Sequence, residues 1–345
     1  MNSLLVDIAS LSGLRDRQSI DFGLAKLMLN TNLWQLSTVR LVRAVGPSDN
    51  QHWLTLASMA RGHAEPERDH VWLDLSHLPA LSDFPLRETA IMTESVACQG
   101  SGPLTTVFPI DTQASVCSLL EVTSDQPIPA DTQGHIDSVL HLYENLQSLL
   151  DYGEKDMLTE LLNRKTFDSA FWRAAQTQEA AANPAQAERR ASTSDSNYWL
   201  AVIDIDHFKR VNDNFGHLIG DEVLLLLARH MRASFRFHDQ LYRFGGEEFV
   251  VLMRCASHTD ATVALERFRT QIAEHDFPQV GHVTISVGFT PLSDNDTPSG
   301  AFDRADKAVY FAKGNGRDQV CSYTALVASG DLVAPADDAE EVDFF

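Results

Sequence analysis

Apolar residues at Leu4, Ile8, Leu11 and Leu14 share one helical face, so residues 2–30 read as helix with a break near Gly13. From Leu36 to about Glu121 the period shortens to that of strands. STVRLVRAV, HWLTLASMA, HVWLDL, LTTVFPI and ASVCSLLEV are the predicted strands, separated by turn-rich stretches such as GPSDNQ and QGSGP. A helix, several antiparallel strands and a closing helix predict a small α+β module over residues 1–130. Residues 131–155 carry Ile136, Val139, Tyr143, Leu146 and Leu150 in 3-4-3-4 spacing, two heptads long. Two readings stay open for this helix: a dimeric coiled-coil seam leading into a second domain, or a helix packed on its own domain.

The second domain opens with DMLTELLNRKTF, followed over about residues 175–197 by a stretch rich in Ala, Gln, Ser and Asn that predicts helix and then loop. Strand YWLAVIDID, a helix from Gly220 through Met231, strand LYRF, a turn at Gly245-Gly246 and strand EEFVVLM come next. A helix over about Ala261–Glu274, strand HVTISVGFT, helix FDRADKAVYFAK and strand DQVCSY complete it. This β-α-β-β-α-β order predicts a ferredoxin-like palm with additions over residues 156–325. Residues 326–345, ending APADDAEEVDFF, are acidic and without periodicity and read as a disordered tail.

Composition narrows the classes. The 345 residues suffice for two domains, and net charge is −21, divided as −10 over residues 1–155, −5 over 156–330 and −6 over 331–345. No region is basic, which argues against binding a nucleic-acid backbone. Cys98, Cys117, Cys255 and Cys321 form no CxxC pair, which speaks against a zinc site or disulfide framework and for a reducing cytoplasm. The start lacks a signal-peptide pattern, and the longest apolar run is too short to span a bilayer.

Candidate chemistry lies where carboxylates abut buried strands. Glu247 and Glu248 run directly into FVVLM, and carboxylates there are costly unless paired or bound to metal. Asp204 and Asp206 close the apolar run YWLAVI on one face, with Ile205 on the other. If the two strands are neighbours, Asp204 converges with Glu247 or Glu248 into a site for a hard cation such as Mg2+ with phosphate co-ligands. Lys209, Lys313 and Arg317 are the nearby cations in sequence, each individually an ordinary surface residue.

The stretch GGEEF, together with DIDHFKRVNDNFGHLIGDEVL, DMLTELLNRKTF and ADKAVYFAKGNGRDQV, resembles the GGDEF family of diguanylate cyclases over about residues 156–323. The resemblance implies condensation of two GTP into cyclic di-GMP with release of two pyrophosphates, by a homodimer in which each domain holds one GTP. It implies Mg2+, two ions per site with Mn2+ as a substitute, on Asp204, Glu247, Glu248 and the Ile205 carbonyl. Glu247 is then also the base for the attacking 3′-hydroxyl. Asn212 and Asp221 read the guanine edge. Lys209, Lys313 and Arg317, with backbone N–H groups around His207 and Phe208, hold the phosphates, and Arg243 is a further cation near the catalytic site.

RFHD, residues 236–239, is in isolation an ion pair on a helix end. Its distance from GGEEF resembles the family's product-binding inhibitory site, with Arg236 and Asp239 joined by Arg267, and implies feedback inhibition. Glu160 stands where the family usually has glycine, Lys165 replaces a usual arginine, and Asp318 a usual asparagine. A non-catalytic cyclic di-GMP receptor is the alternative, which the intact GGEEF disfavours. A cyclase making a mixed cyclic dinucleotide is a third possibility, against which Asn212 and Asp221 argue. Residues 1–130 resemble a GAF domain by element order and fusion, with a PAS-like domain as the alternative. Trp34, Trp53, Trp72, Cys98 and Cys117 are candidate pocket residues for an unknown signal, each more often plain core.

Overall fold

The computed structural model describes residues 2–30, 34–47, 49–69, 75–100, 102–110, 118–182, 197–293 and 296–333, the side chains of 2, 3 and 175–182 excepted. The candidate strand HVWLDL with Trp72, Cys117, most of the predicted loop before residue 197 and APADDAEEVDFF lie outside or almost wholly outside these residues. The chain divides into two compact units, Met1–Gly153 and Glu154–Phe345.

In the first unit, helices α1 (Asn2–Ser12) and α2 (Arg17–Asn30) precede β1 (Leu36–Val45) and β2 (His52–Ala60). Helix α3 (Pro85–Thr93), strands β3 (Ala97–Gln99), β4 (Leu104–Ile110) and β5 (Ser118–Ser124), and helix α4 (Ala130–Glu154) follow. The sheet order is β2-β1-β5-β4-β3, and every pairing is antiparallel. Alternation along the strands sends Val39, Leu41, Phe108 and Leu120 into a core with Leu24, Met28, Ile136 and Tyr143. The opposite face carries Val42, Trp53, Val107 and Leu119 against Ala90 of α3.

Of the two readings of the heptad spacing, the structure takes the packed helix, and the expected linker over 131–155 is corrected accordingly. Ile136, Val139 and Tyr143 are buried in the first unit's own core, with Leu146 and Leu150 packed against it. Tyr143 Oη donates to Asp21 Oδ1 at 2.7 Å, and Gln147 Nε2 donates to the same atom at 3.1 Å. Arg17 adds bonds to Gln147 and Asp151, so polar contacts reinforce the apolar docking of α4 on α2.

The second unit runs β6 (Leu162–Asn163), α5 (Arg164–Ala182), β7 (Asn197–Ile205), α6 (Phe208–Phe215), α7 (His217–Ser234), β8 (Gln240–Gly245) and β9 (Glu248–Cys255). It continues with α8 (His258–Glu274), β10 (Asp276–Phe277), β11 (Gly281–His282), β12 (Ile285–Pro291), α9 (Pro298–Gly314), β13 (Val320–Ser322) and α10 (Tyr323–Ser329). The main sheet has the order β13-β12-β7-β9-β8-β6, in which the four inner strands follow the ferredoxin-like arrangement. Val223, Leu227 and Met231 of α7 and Leu265, Phe268 and Ile272 of α8 bury one face of the sheet through Ala201, Ile203, Phe249 and Val251. Helix α9 lies against β12 and β7. Gly288 permits that approach, because a Cβ there would stand 2.1 Å from Ala305 O and 2.4 Å from Val309 N. The predicted tail from 326 is corrected at its start: α10 continues to Ser329, and its Leu326 packs with Ala308, Ala312 and Tyr323.

Candidate active site

The site forms where β7 ends beside the β8–β9 hairpin. Asp204 is opposite Glu248 in the antiparallel register and opposite Ser286 on its other side. The Ile205 N–H donates to Glu247 O at 3.4 Å, tying the strand end to the hairpin. Ile205 itself faces the α7–α8 core, as the alternation predicts.

The hairpin differs from expectation by one residue. Gly245 ends β8 and pairs with Glu248, while Gly246 and Glu247 form the turn, and of the two glycines only Gly246 has a positive φ, 37°. The pairing shifts between Arg243 and Gly245, a local irregularity that displaces the turn. Glu247 therefore stands at the tip and Glu248 at the first strand position. Arg243 clamps this tip: Nε and Nη2 donate to Gly246 O at 3.2 and 2.9 Å, and Nη1 donates to Asp156 Oδ1 at 3.0 Å. Asp156 also accepts the Thr159 N–H and hydroxyl at 2.8 and 2.7 Å. Burial opposes its ionisation, yet these bonds hold its carboxyl below the ordinary range. The expected cation near the site is thus a brace, and its guanidinium is directed at the turn backbone and Asp156.

Asp204 is strongly perturbed. Burial pushes its pKa up to about 6, against the opposing pull of Lys313 and with a further push from Glu247 and Glu248. Lys313 Nζ stands 2.7 Å from Asp204 Oδ2, whereas Oδ1 is buried without a hydrogen-bond partner. Burial also raises the Glu247 carboxyl, with Lys313 lowering it and Glu248 raising it. Among the described residues no three His, Cys, Asp or Glu side chains are already gathered as a ligand set. An orphaned buried carboxylate oxygen, with Glu248 in register and Glu247 at the adjoining tip, nevertheless fits a hard divalent cation. Asp204, Glu247, Glu248 and the Ile205 carbonyl are the groups that could hold it.

Asp206 has a different task. Its carboxylate accepts Thr284 Oγ1 and Ser286 Oγ, each at 2.7 Å, and the Asp318 N–H at 3.1 Å. It therefore anchors the turn carrying Arg317, where Arg317 and Asp318 both have positive φ, 65° and 42°. Asp318 Oδ1 also accepts Arg269 Nη1 at 2.7 Å. Glu160, at φ 57°, likewise occupies a left-handed position, the conformation that glycine adopts most easily. Lys165 is exposed, and its N–H donates to Asn163 Oδ1 at 3.0 Å.

Asn212 reaches across the α6–α7 junction to Gly220, the residue before Asp221. Gly220 is packed so closely under Asn212 that a Cβ would lie 2.0 Å from Asn212 Oδ1. Asp221, the next residue, is exposed beside it. His207 is the N-cap residue of α6 at φ 58°, and its side chain makes no capping hydrogen bond. Lys209 and Arg317 are exposed. A groove of about 240 Å3 runs beside α6, lined among others by Asp206, His207, Arg210 and Thr284.

RFHD forms a turn between α7 and β8, correcting the helix-end placement. Asp239 accepts the Arg236 N–H at 2.9 Å and the Arg254 N–H at 3.4 Å, so its carboxylate closes the turn through the backbone. Burial raises its pKa to about 6, moderated by those bonds and by Arg236. Arg267 Nη2 donates to Ser234 O at 2.7 Å, bringing it to the chain just before Arg236. An open groove of about 790 Å3 continues from Arg267 between α7 and α8, past His230, Gln271 and His275.

The sequence reading missed Gly220, Gly288 and the bracing roles of Asp156 and Asp206. The signal for Asp206 was its alternation with Asp204, which put both carboxylates on one face.

Residues 154–319 match the family model described as diguanylate cyclase, GGDEF domain. Diguanylate cyclase DgcP of Pseudomonas aeruginosa is 48% identical over 124 residues, 35% of this chain and 18% of that protein. The response regulator PleD of Caulobacter vibrioides is 35% identical over 191 residues, 54% of this chain and 39% of that protein. A solved GGDEF domain of DgcB from Caulobacter crescentus, in complex with c-di-GMP, is 30% identical with a TM-score of 0.42, covering 50% of this chain and 93% of that one. The chain spans less than half the length of these two curated relatives.

Proposed function

We propose, from the premise that this chain belongs to the GGDEF family through residues 154–319, that it is a diguanylate cyclase joining two GTP into cyclic di-GMP. The observation that carries this reading is the orphaned Oδ1 of Asp204, beside Glu248 and held from the other side by Lys313. Asp204, Glu247, Glu248 and the Ile205 carbonyl would hold Mg2+, two ions per site, with Mn2+ able to take its place. When bound, the cation neutralises charge on the triphosphate and its pyrophosphate leaving group. Asn212 and Asp221 recognise guanine, and the exposed Asp221 carboxylate accepts from its amino and ring N–H groups. Lys209, Lys313, Arg317 and the backbone at His207 and Phe208 bind phosphate.

Glu247, at the tip of the turn, takes the proton of the 3′-hydroxyl as general base. The freed 3′-oxygen bonds to the α-phosphorus of the facing GTP, and the bond from that phosphorus to pyrophosphate breaks. Two such events close the ring, so two domains face each other in a homodimer and their geometry is the controlled quantity. Cyclic di-GMP returns to Arg236, Asp239 and Arg267 as inhibitor. The first unit, a GAF-like sensory domain, transmits a signal through α4. We place the protein in the cytoplasm; among the described residues no helix is long and apolar enough to cross a membrane.

Incubation of the purified chain, stripped of bound nucleotide, with GTP and Mg2+ tests the reading by chromatography of the products. Cyclic di-GMP and two equivalents of pyrophosphate are expected; their absence at every protein concentration tried overturns it.

A further inference from the structure

On the α3 face of the first unit, Arg40 of β1 is opposite Glu121 of β5 in register. Arg40 Nη1 stands 3.4 Å from Glu121 Oε1, and Arg87 Nε of α3 donates to Glu121 Oε2 at 2.8 Å. Both oxygens of one carboxylate are thus engaged by two guanidinium groups, which leaves one positive charge in excess in this cluster. The Arg87 side chain is only 2% exposed. Its guanidinium stands 3.8 Å from the Phe84 ring centre and 5.3 Å from that of Trp53, so its plane is fixed by aromatic contact.

Two donors at this spot have no acceptor. Arg87 Nη2 and Trp53 Nε1 are both buried and make no hydrogen bond. Trp53 is 1% exposed, in the core cluster that α3 covers. A buried donor left unmade is costly, and more so on a charged group. The cluster therefore combines an excess cation, an oriented guanidinium edge and an indole N–H, and lacks an acceptor bearing negative charge. Arg40, 44% exposed, marks the side on which the cluster meets solvent.

We propose that this face is a binding site for a small carboxylate-bearing anion, which accepts from Arg87 Nη2–H and Trp53 Nε1–H and balances the charge that Glu121 leaves over. A carboxylate suits it because its two acceptor oxygens can serve two separate donors and its charge is single. The occupant acts as the signal of the sensory unit, a consequence that rests on the cyclase reading; binding itself does not.

The test is thermal unfolding of the full chain titrated with sodium acetate, sodium succinate and sodium phosphate, at ionic strength held constant with sodium chloride. A saturable rise in the first unit's transition with acetate or succinate is expected. Trp53→Phe keeps an aromatic ring and removes the N–H, and should weaken that binding roughly tenfold, the worth of one hydrogen bond to a charged group. Arg87→Met should abolish it; should that variant not fold, Trp53→Phe alone decides. No saturable rise, a rise equally strong with phosphate, or one untouched by Trp53→Phe overturns the proposal. Because no turnover is measured, this result can fail while the cyclase reading stands, and the reverse.

Discussion

Lys313 stands 2.7 Å from Asp204 Oδ2 while Asp204 Oδ1 remains without a partner, so a cation from α9 neutralises the carboxylate that the proposed metal needs. A fixed positive charge beside a metal ligand weakens cation binding and strengthens phosphate binding. Lys313→Met should tighten Mg2+ binding in the absence of nucleotide by roughly fivefold, about 1 kcal/mol, while raising KM for GTP. Calorimetric Mg2+ titration of the nucleotide-free protein, set beside steady-state kinetics, measures the two opposite effects. Equal weakening of both would show that Lys313 only shapes the site.

Asp239 supplies a pH dependence with a defined sign. Burial lifts its folded pKa to about 6, above the ordinary carboxylate value of 3.8 that the unfolded chain keeps. Between those values the folded chain keeps a proton that the unfolded chain has released, so stability falls as pH rises across the window. Asp239→Asn mimics the protonated side chain. It should match the wild type near pH 4 and exceed it above pH 6 by on the order of 3 kcal/mol. Urea unfolding of both proteins at several pH values from 4 to 7 checks this; parallel curves would refute it.

Gly220 offers a separation of binding from folding. An added Cβ clashes at 2.0 Å with the amide end of Asn212, a side chain able to move, and next meets Phe208 Cζ at 3.3 Å, a contact that a few tenths of an ångström relieves. Gly220→Ala should therefore leave the melting temperature nearly unchanged and raise KM for GTP about tenfold, with a smaller effect on kcat. A large loss of stability instead would mean that the helix junction itself cannot yield.

Arg243 and Asp156 should behave as one unit. Arg243→Ala frees the turn bearing Glu247 and leaves Asp156 without its ion pair. Turnover should drop roughly 30-fold, about 2 kcal/mol, with Asp156→Ala lowering it in the same direction and the double variant falling short of the sum. Strict additivity in the kcat values would place the two residues in unrelated roles.

Much of this architecture is legible in residue pattern because strands and helices with one buried face must alternate at their own periods. LTTVFPI and HWLTLASMA are strands over the stretches their alternation indicates. The hairpin register is not legible, because the irregularity at Arg243 and Gly245 moves the turn without altering the apolar pattern. The spacing in α4 is equally ambiguous in sequence: Ile136 and Tyr143 suit a partner helix or their own sheet, and only tertiary contact with Asp21 decides. Helix α3 escaped notice because PLRETAIMT is short and only weakly periodic. In the site, the carboxylates are apparent from their position beside buried strands, whereas the supports are not. Asp156 and Asp206 act through hydrogen bonds to residues far along the chain, which spacing alone does not encode.

Gly288 touches no candidate ligand group, yet it sets how far α9 stands from the sheet. Lys313 and Arg317 ride on or just beyond that helix, and Asp204 is fixed to the sheet. The gap between the cations proposed to hold phosphate and the carboxylates proposed to hold metal is thus gauged by the thickness of one absent methyl. Lengthening that gap needs no change to any reacting group, so the reach of the site for its substrate can be reset from the middle of a strand.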